Sequence, residues 1–142
     1  MRPATWRKPE CRFRRDVERI ERFEDLIAWQ RARELHRLLQ VEFNHPAFSR
    51  AFALRDQLER AATSVMGNIA EGYERTGPKE FAHGLSMAKG SAGEVRSHLY
   101  AALDAGFLRQ EAFEPLRALA DETSRVIAGL RVAVLRGTQR AP

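Results

Sequence analysis

The chain is short of the residues that announce secretion, membrane insertion or metal chemistry. It holds one cysteine, Cys11, which can neither close an internal disulfide nor supply a metal site alone, so a reducing, cytoplasmic setting is expected. No uninterrupted apolar run approaches the about 18 to 20 residues needed to cross a bilayer, and a soluble protein without a membrane partner is expected. The arginine-rich N-terminus is not followed by the apolar segment of a secretory signal. Glycine and proline number nine and six in 142 residues and are sparse in the middle. Alanine, leucine, glutamate and arginine fill the space they leave, while β-branched residues are scattered, which favours an all-α protein of one domain.

Charge is unevenly placed. Residues 1–22 carry eight basic groups against four acidic ones, whereas residues 23–136 carry fifteen of each. The expected division is a basic N-terminal arm over 1–22, flexible or partly helical, a helical body over 23–136, and a disordered tail over 137–142. An overall pI near 10.1 therefore says little about the body and points to the arm as the part that meets something anionic.

Four long helices are legible. The first runs from about Glu24 to Phe43 with Leu26, Trp29, Leu35, Leu38 and Leu39 on its apolar side, and the spacing of Phe13, Val17 and Ile20 offers an upstream extension. "NHP" at 44–46 ends it, since a residue before proline avoids helical dihedrals. The second spans about Ser49 to Glu74, with Leu54, Leu58, Ala61, Val65 and Ile69 as its stripe. "TGPKEF" at 76–81 breaks the chain and starts the third, with Pro78 suited to the first helical position. Phe81, Leu85, Ala88, Ala92, Val95, Leu99, Ala102 and Gly106 alternate steps of four and three, a coiled-coil kind of seam with many small residues. After "DAGFL" comes a fourth helix, with Pro115 placed in its opening turn because an interior proline costs about 3 kcal/mol. Its stripe of Leu116, Leu119, Thr123, Ile127, Leu130 and Val134 runs to about Arg136. Short turns between four such helices imply an antiparallel up-down-up-down four-helix bundle.

Candidate chemistry is thin. Glu42 with His45 and Glu80 with His83 have the Glu-x-x-His spacing of di-metal bundles, but His45 precedes Pro46 at a helix end and His83 turns about 200° from the seam, so surface histidine is expected. Ser97 beside His98 lacks the geometry of a hydrolytic triad, and "KGSAGE" at 89–94 lies in mid-helix rather than after a strand. No catalytic residue, metal or cofactor is expected. What remains is "WRKPECRFRR" at 6–15: Arg7, Arg12, Arg14 and Arg15 suit phosphates, while Trp6 and Phe13 suit stacking on bases. The plain alternative is a solvated tail, or residues added by an upstream start codon. Arg31, Arg33 and Arg37 on the first helix add to the basic set if assembly gathers them.

The oddest stretch is "VMGNIAEGYER" at 65–75, which places Gly67, Asn68, Glu71 and Gly72 in a helix they do not favour. It belongs to a wider pattern: "FEDLIAWQRA" at 23–32, "QLERAATSVMGNIAEGYER" at 57–75, "EFAHGLSMAKGSAGEV" at 80–95 and "GFL" at 106–108. Together these resemble the bacterial four-helix-bundle family named for reading frames within intervening sequences of large-subunit (23S) ribosomal RNA genes. The name records where such frames lie, not a ribosomal activity. The resemblance implies a bundle able to form a homopentameric ring. More distantly the chain is similar to the accessory variability proteins of diversity-generating retroelements, whose basic surface engages nucleic acid and a reverse transcriptase. Where the family commonly has proline before "ANIAEG", this chain has Met66 and Gly67.

The motif residues read as architecture. Asn68 is expected to hydrogen-bond across the bundle and fix register, Gly67 and Gly72 to allow close approach or a bend, and Glu71 to pair with Arg75 or a neighbouring subunit. The functional expectation is a non-enzymatic homo-oligomeric scaffold, pentameric by the resemblance, binding nucleic acid or a nucleic-acid enzyme through basic residues. The alternative is an adaptor module that binds another protein without nucleic-acid contact.

Overall fold

The computed structural model describes residues 20–139. Among them every regular element is helical: a 3-10 turn Phe23–Asp25, then α1 (Ile27–Phe43), α2 (Pro46–Ser49), α3 (Phe52–Glu74), α4 (Pro78–Asp104) and α5 (Gln110–Gln139). No helix among the described residues is long and apolar enough to cross a membrane.

The first helix starts later than its periodicity suggests. Residues 13–19 of the proposed extension lie outside the described residues, and from Ile20 onward the chain does not continue the helix. The Asp25 carboxylate accepts the backbone N–H groups of Glu21 at 3.0 Å and Arg22 at 3.2 Å, a local bonding pattern that competes with helix. Leu26 then takes an extended conformation and drops into the core before Ile27 opens α1.

The second expected helix, about Ser49 to Glu74, runs as α3 from Phe52, and a separate short helix precedes it. Pro46 opens α2 with His45 Nδ1 accepting from Ala47 N–H at 3.3 Å. This short turn drives Phe48 into the core against Phe43, with ring centroids 5.2 Å apart. Ala51 breaks the helical dihedrals, and Arg55 Nη1 bridges the break by donating to Ser49 O at 2.8 Å.

The seam of α4 is buried from Phe81 through Ala102, but Gly106 is not part of it. It lies beyond the helix with φ of 79°, exposed, where Gly106 N–H donates to Leu103 O and Phe107 N–H to Ala102 O. That is a Schellman stop, and its left-handed residue needs glycine. Pro115 also departs from expectation. The buried Phe113 draws the first turn of α5 back to Gln110, leaving Pro115 in the second turn. Pro115 has no N–H to give the carbonyl of exposed Glu111, which thereby loses its helical donor. At the other end α5 continues to Gln139, three residues past the expected end at Arg136; Arg140 to Pro142 of the expected tail lie outside the described residues.

Contacts between long helices run in opposite residue order. For α3 and α4 these are Ser64 with Ser91 and Tyr73 with Phe81; for α4 and α5, Arg96 with Asp121 and Tyr100 with Phe113. For α1 and α5 they are Arg31 with Glu122 and Glu42 with Arg109, the residue just ahead of α5. The core has two parts. One gathers Leu39, Phe43, Phe48, Leu58, Leu99 and Phe113, and the other Leu26, Ile69, Tyr73, Phe81, Leu85 and Ile127. The second supports the end of the fold where the motif residues lie.

Candidate functional site

The motif residues sit on the last turns of α3, facing the first turns of α4. Arg75 ends α3 in an extended conformation, Gly77 stands before α4, and Pro78 takes its first position. Below this turn the two helices touch backbone to backbone. A Cβ built on Gly84 would lie 2.7 Å from Asn68 O and 2.9 Å from Gly72 Cα; one built on Gly72 would lie 3.2 Å from both Gly84 Cα and Phe81 O. The expected close approach is therefore made by Gly72, and its partner Gly84 was not singled out by the sequence. Gly67 takes no part: it is exposed, with nothing within 4 Å of a built Cβ. Gly90 and Gly93 likewise have open space around them.

Above the glycine contact a groove of about 410 Å³ opens between Asn68, Glu71 and Arg75 on one side and Lys79, Glu80, His83 and Met87 on the other. Glu71 Oε1 accepts from Arg75 Nη2 at 2.7 Å, and that hydrogen bond, with the Glu71 charge behind it, raises the Arg75 pKa above its ordinary value. Both partners are exposed, so water screens the pair and it adds little to stability. Asn68 does not reach across the bundle. Its Nδ2 donates to Ser64 O at 2.9 Å and Ser64 Oγ at 3.0 Å, both on its own helix. The link to α4 is made one turn earlier, by the Ser64 and Ser91 hydroxyls at 2.9 Å. Two cations, two carboxylates and a histidine around a small opening give a charge-balanced polar rim. Among the described residues no three His, Cys, Asp or Glu side chains gather as a metal would require. His45 caps α2, and His98 lies 3.3 Å from Glu94 Oε1.

The expected nucleic-acid contacts divide in the same plain way. Arg7, Arg12, Arg14 and Arg15 lie outside the described residues. Arg31, Arg33 and Arg37 are all on α1 but do not form one cluster. Arg31 Nε donates to Glu122 on α5 at 3.0 Å. Arg37 donates to Glu34 through Nε at 3.0 Å and Nη2 at 2.8 Å. That hydrogen bond holds the Glu34 carboxyl below its usual range and raises the Arg37 pKa. Arg33 lies over the Trp29 ring, 5.8 Å from its centroid.

Lys79, His83, Gly84 and Met87 escaped the sequence reading as a set. The signal was there, in steps of four and three that put Glu80, Gly84, Met87 and Ser91 beside the seam of α4. Ser64, Asn68, Glu71 and Arg75 do the same on α3. Both stripes fall inside the segment that matches the 23S rRNA-intervening sequence protein model, which spans residues 24–129. The chain belongs to that family. Among curated proteins none matches it. The family segment takes in the whole groove and the three α1 arginines, and it leaves the basic arm outside.

Proposed function

We propose that this family member is a non-enzymatic helical scaffold that assembles with copies of itself, as a pentameric ring, and holds nucleic acid or a nucleic-acid enzyme through basic residues. In this reading α1, α3, α4 and α5 form an antiparallel up-down-up-down bundle, which the opposite residue order of their contacts supports. The observation that carries the functional reading is the partition of charge. The body has as many acidic as basic groups, and Arg31 and Arg37 are already bonded to carboxylates. The surplus of positive charge lies in residues 1–22, and in this reading Arg7, Arg12, Arg14 and Arg15 neutralise phosphates. Assembly multiplies such arms and raises their effective concentration on one strand. Self-association is supported by Phe52 and Val41, which are 68% and 60% exposed, large apolar residues that a neighbouring copy would cover. A reverse transcriptase is one candidate for the enzyme partner, and the setting is cytoplasmic.

The test pairs light-scattering mass with absorbance at 260 and 280 nm on protein purified at low salt, then follows oligonucleotide binding against salt. A multimeric mass, excess 260 nm absorbance and a steep salt dependence that collapses on deleting residues 1–19 are expected. Salt-insensitive binding, or an arm deletion without effect, refutes the reading. The same exposed Phe52 and Val41 favour a second reading, an adaptor that binds another protein; a specific protein co-purifying while RNA and DNA are ignored would establish it.

A further inference from the structure

We infer that single-stranded nucleic acid is seated in a second groove at the root of the arm, against Trp29, Arg33 and Arg37, an assignment that rests on the nucleic-acid reading above and gives it a surface on the body. This groove, about 590 Å³, lies between the 3-10 turn and α1 and is lined by Arg22, Glu24, Trp29, Gln30, Arg33, Glu34 and Arg37. Its volume falls in the range of about 300 to 1,000 Å³ typical of small-ligand sites, enough for a nucleotide unit.

The chemistry follows from three placements. Trp29, Arg33 and Arg37 recur every fourth residue, so they form one stripe of a flat ring and two guanidinium groups along α1. Phe23 packs edge-on to Trp29 at 5.2 Å and 63°, which fixes the ring while its outer part stays half-buried beneath Arg33. A base stacks on such a ring and on a guanidinium plane alike, Arg33 takes the neighbouring phosphate, and Arg37 joins only by giving up its bonds to Glu34. A duplex hides its base faces and cannot use Trp29; an acidic peptide would satisfy the arginines and leave the ring idle.

The chain also delivers the arm to this place. The Asp25 carboxylate holds the backbone of Glu21 and Arg22, so the last residues of the arm are pinned on the groove rim. A strand gripped by the arm therefore meets Trp29 and Arg33 next. Glu34 is the counterweight: it occupies both Nε and Nη2 of Arg37 and sets a negative charge where a phosphate would come.

The test uses the full chain carrying Trp6→Phe, so that Trp29 is the sole tryptophan, with labelled oligo(U), oligo(dT) and a matched duplex as probes. Trp29 fluorescence is expected to quench in step with single-strand binding. Arg33→Gln should weaken binding about 3- to 10-fold and reduce the salt slope by roughly one, and Glu34→Gln should tighten it about 3-fold at low salt. Trp29→Ala should cost roughly 5- to 100-fold. Because Trp29 also packs on the core, the two exposed-site variants and the quench decide the matter if that variant fails to fold. Binding that is abolished by arm deletion but shows no quench and ignores Arg33→Gln and Glu34→Gln overturns the groove and leaves the arm reading standing. Absence of binding to every probe at low salt overturns both. Preference for the duplex without a Trp29 quench overturns the groove alone.

Discussion

Gly84→Ala adds one methyl group where two helix backbones already touch. The new Cβ would sit 2.7 Å from Asn68 O and 2.9 Å from Gly72 Cα, and both are backbone atoms that cannot swing aside as a side chain can. Restoring the tighter contact to 3.4 Å means parting α3 and α4 by about 0.7 Å, which loosens Ile69, Tyr73, Phe81 and Leu85 in the core beneath. Overpacking of this kind costs about 1 to 3 kcal/mol. Alanine also brings a helix-propensity gain of about 0.5 to 1 kcal/mol over glycine, so the single variant mixes two effects of opposite sign. Gly67→Ala separates them. It lies on the same helix pair with nothing within 4 Å and carries the propensity gain without the clash. Urea denaturation followed by helical circular dichroism, at one fixed protein concentration because association shifts apparent stability, should place Gly67→Ala slightly above the parent and Gly84→Ala below it. Their difference isolates the steric effect at about 1 to 3 kcal/mol. Gly72→Ala, with contacts of 3.2 Å, should fall between. Equal shifts for Gly84→Ala and Gly67→Ala would refute the backbone contact.

Three further outcomes are expected. Asn68→Ala and Ser91→Ala, combined in a double-mutant cycle, should couple by about 0.5 to 1.5 kcal/mol through the shared Ser64 hydroxyl; independent effects would mean that the Asn68, Ser64 and Ser91 chain is not a unit. Gly106→Ala, forced to keep φ near 79°, should lose roughly 1 to 2 kcal/mol in the same urea assay, and a neutral result would mean that the Schellman stop rearranges freely. The Asp25 carboxyl is held below its ordinary 3.8, first by the Glu21 N–H, and Glu34 below 4.5 by the Arg37 hydrogen bond. Each lowered pKa stabilises the fold above the ordinary value and loses that contribution as pH falls through the lowered one. Melting temperature against pH should therefore have a shallower acid limb below about pH 4 in Asp25→Asn, and an unchanged limb would refute the cap.

The four long helices were legible because the burial of α4 from Phe81 to Ala102 follows a period that no other element type produces. The breaks were harder to read, since each is decided by one side chain seeking the core. Phe48 sets a separate short turn ahead of the second helix, Phe113 pulls Pro115 into a second turn, and the Asp25 carboxylate turns Glu21 and Arg22 away from helix. Periodicity reports which face is apolar, and it is blind to such local competition. The motif was found but half misassigned for a similar reason. Whether the Asn68 amide reaches across the bundle or back along its helix depends on a rotamer and on the acceptor supplied by Ser64. The Gly72 contact had a visible half in "AEG", while Gly84 showed only its place beside the seam, where a glycine looks the same whether a partner helix or water lies over it.

The α1 arginines show why net charge alone misplaces a nucleic-acid surface. Arg31, Arg33 and Arg37 are equal in sequence, yet Glu122 engages the first, Glu34 engages the last, and only Arg33 sits on an aromatic face with no carboxylate partner among the described residues. A guanidinium already bonded to a carboxylate must exchange that bond for a phosphate and gains little by it. One resting on a tryptophan has no ion pair to give up when it takes a phosphate. By that reasoning the body contributes to nucleic-acid affinity chiefly through Arg33 and its neighbours at the arm root, and Arg31→Gln should leave oligonucleotide affinity nearly unchanged where Arg33→Gln weakens it. If Arg31→Gln weakens it as much, the body acts as a diffuse charge and the local chemistry at Trp29 does not set the binding.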